Sequence, residues 1–69
     1  MTRFIWTFGV DSPWAGKYVV VTSDNDKEDG RKKMFEKFGR ENCAFVYPYE
    51  KGMNLVEKYG YTLVDEMEA

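Results

Sequence analysis

The sequence predicts a small α/β (α+β) domain of order ββαβαβ, and three observations lead there. Residues 3–8 alternate, with Phe4, Trp6 and Phe8 on one side and Arg3, Ile5 and Thr7 on the other, the period-2 signature of a strand. Lys32-Lys33-Met34-Phe35-Glu36-Lys37-Phe38-Gly39 reads as the end of an amphipathic helix closed by glycine, and Cys43-Ala44-Phe45-Val46-Tyr47 starts a strand four residues after that glycine. The same helix–glycine–strand order recurs over residues 53–64.

Each element follows from its residues. After the aromatic first strand, residues 9–16 gather Gly9, Asp11, Ser12, Pro13 and Gly16 into a loop. Lys17-Tyr18-Val19-Val20-Val21-Thr22 is a β-branched run suited to a central strand. The eight-residue connection favours an antiparallel hairpin, because a parallel crossover takes about a dozen residues or more. Ser23, Asp24, Asn25 and Asp26 are helix N-cap candidates, with Asp26 preferred because Asp29 follows three residues later.

The spacing then predicts a helix over 27–38. Glu28 and Asp29 fall in its first turns and Arg31, Lys32, Lys33 and Lys37 in its later ones, the order the helix dipole favours. Gly30, Met34 and Phe38 form an i, i+4, i+8 stripe, with Phe35 beside it. Glycine in a helix interior costs about 1 kcal/mol relative to alanine. Its place on the buried stripe predicts close approach of helix to sheet.

In the third strand, 43–47, Cys43, Phe45 and Tyr47 share one face and Ala44 and Val46 the other. Pro48 ends that strand or marks it as an edge. Residues 49–52 read as a turn, 53–59 as a short helix closed by Gly60, and 61–64 as a last strand. From about residue 65 a frayed acidic tail is expected. The expectation is one domain over 1–69, a mostly antiparallel sheet covered on one face by helices. Lys33-Met34-Phe35-Glu36-Lys37-Phe38-Gly39 and Asn54-Leu55-Val56-Glu57-Lys58-Tyr59-Gly60 also echo one another, which convergent aromatic-glycine helix ends explain without duplication.

Composition narrows the chemistry. With no histidine, the commonest general acid/base and a common metal ligand are missing, and a single cysteine, Cys43, cannot close an intramolecular disulfide. In an apolar run, Cys43 reads as an inert thiol. Asp24, Asp26, Glu28 and Asp29 lack the loop glycine and terminal glutamate of a calcium loop, and no glycine pattern for phosphate occurs. No catalytic residue, metal or cofactor is expected. No apolar run reaches the length of about 18 residues needed for a membrane span, and no signal segment is visible, so a cytoplasmic setting is the expectation.

Net charge is −2, unevenly spread. Residues 24–40 hold five acids and six bases, whereas residues 41–69 hold six acids against two bases. An acidic C-terminal module argues against phosphate neutralisation as the source of binding. Twelve aromatic residues exceed what so small a core requires, which predicts a sticky outer surface. Trp14, in a Ser-Pro-Trp-Ala-Gly loop, is a candidate interface anchor, set against the favoured reading that it packs back over the small core.

Thr7-Phe8-Gly9, Lys33-Met34-Phe35-Glu36-Lys37-Phe38-Gly39 and Ala44-Phe45-Val46-Tyr47 together resemble a set of small uncharacterised proteins of phages and prophages of Gram-positive bacteria. Their pattern has a first strand with T-F-G, a helix ending K-M-F-x-x-F/Y-G, and a strand W-A-F-x-Y. The resemblance spans about residues 3–49. Cys43 stands where tryptophan is usual and Gly30 where alanine is common, differences of packing. The resemblance implies an accessory protein of a mobile element, made in a bacterial cytoplasm, and no activity.

The expected function is stoichiometric inhibition of a host or defence-system enzyme, of anti-CRISPR type, by acidic and aromatic side chains that occupy a basic channel. Candidate contact residues are Trp14, Tyr47, Tyr49, Glu50, Glu57, Asp65, Glu66 and Glu68. Two alternatives stand beside it. One is a single-stranded nucleic-acid module using Trp6, Tyr47 and the basic helix face. The other is a structural or assembly accessory that forms a homodimer through a sheet edge.

Overall fold

The computed structural model describes residues 1–24 and 28–69. The predicted cap Asp26 lies outside the described residues. The element order is ββαβαβ: β1 (Thr2–Phe8), β2 (Lys17–Ser23), α1 (Glu28–Phe38), β3 (Cys43–Pro48), α2 (Tyr49–Tyr59) and β4 (Thr62–Glu68). The strands form one mixed sheet in the order β3-β1-β2-β4. β1 pairs antiparallel with β2, as the short connection predicts, and antiparallel with β3, whereas β4 joins β2 in parallel.

The helices cover opposite faces, which corrects the expectation of one covered face. Trp6, Phe8, Val19 and Val21 pack with Met34 and Phe38 of α1. Ile5, Tyr18 and Val20 pack with Val56 of α2. The cause is topological. The connection from β2 to β3 crosses β1 in one direction, and the connection from β3 to β4 returns across the sheet in the other. Crossovers of one hand place a helix on the other face when the direction of travel reverses. β2 is therefore covered on both sides, which is why it is a continuous apolar run rather than an alternating one.

Each helix has a glycine where it meets the sheet. A Cβ on Gly30 would stand 2.7 Å from Cγ1 of Val21, so the predicted close approach of α1 is present. Gly52 does the same for α2: a Cβ there would collide with Cβ and Cγ1 of Ile5 on β1. Residues 49–52, read as a turn, are instead the first turn of α2. Pro48 is both the last residue of β3 and the N-cap of α2, with φ −55° and ψ 148°, so strand passes to helix without a loop. That φ suits proline, whose missing N–H is not needed at a helix start. Gly39 and Gly60 follow the two helices at positive φ, as their aromatic-glycine endings predict.

Two further differences concern the edges. Residues 65–68 do not fray; they continue β4, with Asp65, Glu66, Met67 and Glu68 opposite Val19, Val20, Val21 and Thr22. The Ala69 N–H extends the pairing to the Thr22 carbonyl at 2.8 Å. In β3, Trp6 lies opposite Val46 but Phe8 opposite Cys43, a bulge that puts one extra residue in β3. Cys43 and Val46 therefore both face α1, rather than opposite sides as strict alternation predicts.

Met34 is fully buried against the sheet. Met34→Ala is expected to cost about 2–5 kcal/mol, read from the urea midpoint at constant slope. Gly52→Ala separates propensity from packing. An exposed helix would gain about 1 kcal/mol from this change, but Ile5 blocks the methyl, so a lowered midpoint is expected.

Candidate interaction surface

The thiol of Cys43 is half-buried at the start of β3 and donates to the Met34 carbonyl across 3.9 Å. Burial, then the nearby Glu41 carboxylate, push its pKa up and hold it protonated. Among the described residues, no three histidine, cysteine or acidic side chains converge as a metal site would require. Nor is any helix among them long and apolar enough to cross a membrane.

The eight predicted contact residues do not form one patch. Trp14 turns back onto the α1 layer, its ring centroid 5.8 Å from Phe8 and 5.2 Å from Phe38. Its backbone N–H donates to Ser12 Oγ at 2.9 Å, which fixes the loop that delivers it. Trp14 is thus a half-buried edge of the core, not an outward anchor. Asp65 also faces α1, where Lys37 donates to it; that bond, with the Glu66 N–H, holds its carboxyl below the usual range.

The other six belong to the α2 side. Tyr47 and Tyr49 are half-buried, and the Arg3 guanidinium lies over the Tyr49 ring at 4.0 Å. Glu50 and Glu57 are exposed on α2, each followed by an exposed lysine, Lys51 or Lys58. Glu66 and Glu68 are exposed on β4 and pair with Val20 and Thr22, on the face opposite Met67. With Arg3, Val20, Thr22 and Met67 they line an open depression of about 250 Å³. Arg3 thus stands over Tyr49 and also borders the depression beside the β4 acids.

The linear charge split is partly cancelled in space. Lys33 donates to the Glu68 carbonyl and Lys37 to Asp65, so α1 lends two cations to the acidic strand. Arg31 is held by Glu28 at 2.6 Å and lies 5.6 Å over the Trp6 ring. What stays acidic is the α2-side rim of β4, where Glu66 and Glu68 share their depression with the single charge of Arg3.

Sequence reasoning did not select the most exposed aromatic side chain. Phe45, on edge strand β3, is 64% exposed, with its ring 6.2 Å from that of Tyr47. The available signal was Pro48, which marked β3 as an edge. Tyr59 is also exposed, stacked on Tyr61 at 5.9 Å, and Leu63 and Val64 of β4 are partly exposed.

Two measurements check these placements. Trp14→Ala is expected to cost about 1–3 kcal/mol, less than a fully buried tryptophan, in urea unfolding; an outward anchor would leave the midpoint unmoved. Asp65 binds its proton less readily folded than unfolded, so its pairing stabilises above the ordinary carboxylate range and is lost as pH falls through the lowered pKa. Lys37→Met should return the Asp65 titration, followed by carboxyl NMR, towards the ordinary value. No protein family, curated protein or solved structure matches the chain.

Proposed function

We propose that this chain is a non-catalytic binding protein, a phage or prophage accessory that blocks a bacterial host or defence-system protein stoichiometrically, in the manner of an anti-CRISPR. The observation that carries this reading is the exposed pair Glu66 and Glu68 on one rim of β4, beside the Arg3–Tyr49 stack. Carboxylates at alternate positions of an edge strand present a row of acceptors to a partner's lysines and arginines. Glu50 and Glu57 extend the acidic side chains along α2. The mobile-element context comes from the sequence resemblance, and the absence of histidine from the whole chain favours binding over acid–base catalysis.

The nucleic-acid alternative is disfavoured on two grounds. Trp6, its principal stacking residue, is 2% exposed. Three cations of its basic helix, Arg31, Lys33 and Lys37, are engaged within the domain.

The test compares two charge-reversal sets against the partner recovered from a host lysate. Glu57→Lys with Glu66→Lys and Glu68→Lys should slow association by about tenfold and flatten its salt dependence. Lys32→Glu should change little, since it reverses a basic side chain on the other face. Loss of binding from Lys32→Glu, with the acidic changes silent, would replace this reading with the nucleic-acid one.

A further inference from the structure

The two free edges of the sheet are built differently. β4 carries Asp65, Glu66 and Glu68, which would meet their like on self-pairing. Charged side chains on an edge are a standard guard against strand addition. β3 carries no charged residue from Cys43 to Pro48, and Ala44, Phe45 and Pro48 are exposed along it. Its Phe45 and Tyr47 rings stand side by side at 6.2 Å, with no neighbouring strand beyond them among the described residues.

We propose that β3 is a homodimerisation edge, pairing antiparallel with β3 of a second copy to form one eight-stranded sheet. The occupant follows from charge and symmetry. Antiparallel self-pairing is two-fold and closed, so it ends at a dimer. Centred on Val46, it places Phe45 opposite Tyr47 of the second copy, twice, giving two aromatic cross-strand pairs. Exposed Arg40 and Glu41 precede β3 and exposed Glu50 and Lys51 follow it in the first turn of α2, so both signs of charge flank each end of the paired strands. No like-charged pair falls within the ladder.

The bulge confines the regular ladder to a short stretch, and Pro48 supplies no N–H, so the contact is small and its dissociation constant is on the order of 0.1 mM, between the micromolar and millimolar limits. The proposal is independent of the acidic rim, which lies at the opposite edge.

Sedimentation velocity from ~1 µM to ~1 mM tests it. The unaltered chain should shift from monomer to dimer across that range. Phe45→Lys and Ala44→Lys, both at exposed positions, should each weaken dimerisation about tenfold or more, with the circular dichroism melt confirming the fold. Leu63→Lys on β4 should have no effect. A monomer throughout, or a dimer broken by Leu63→Lys and indifferent to Phe45→Lys and Ala44→Lys, would overturn the proposal.

Discussion

The structure depends on how closely two helices can approach the β1–β2 ladder from opposite sides. Ile5 and Trp6 are neighbours in sequence and face different layers, and each meets a helix at a glycine. Any side chain at Gly52 would lift α2 from Ile5, and any at Gly30 would press on Val21. The helices accept poorer intrinsic propensity in return for contact with the sheet. In a chain of 69 residues, that contact is a large share of the burial obtainable.

Much of this architecture was legible in local sequence. The alternation of β1, the apolar run of β2, the Gly30-Met34-Phe38 stripe and the glycine endings each follow from short-range patterning. The start of α2 was not legible, because Pro48 and Gly52 around Tyr49-Glu50-Lys51 mimic a turn. Only the contact with Ile5 explains a glycine there. The last strand was half-legible: Asp65-Glu66-Met67-Glu68 has weak strand propensity, and its pairing is set by distant β2 and by the α1 lysines. The choice of helix faces requires the strand order, which no local pattern contains.

The candidate surface was harder to read, since exposure is a property of the finished fold. Trp14, in a glycine- and proline-bearing loop, could be read either as an anchor or as packing back over the core, and the loop closes onto Phe8 and Phe38 as the second reading has it. Asp65 looked part of an acidic module, but strand alternation turns it towards Lys37 while Glu66 and Glu68 point away. The sequence echo between the two helix ends shows the same limit. Phe38 is buried, whereas Tyr59, in the matching place, is exposed and stacks on Tyr61. The shared residues describe how the helices stop, and their packing roles differ.

The back-to-back apolar layers have a consequence for how such a chain can change. The groups around Met34 and Val56 are separated by the thickness of the sheet and belong to different clusters. Substitutions without shared partners combine nearly additively, while those within one cluster compensate or aggravate each other. Each layer can therefore repack in its own small set of correlated changes while the other holds the strands in register. A domain of this size thus gains two semi-independent surfaces on which variation can accumulate, one behind α1 and one behind α2.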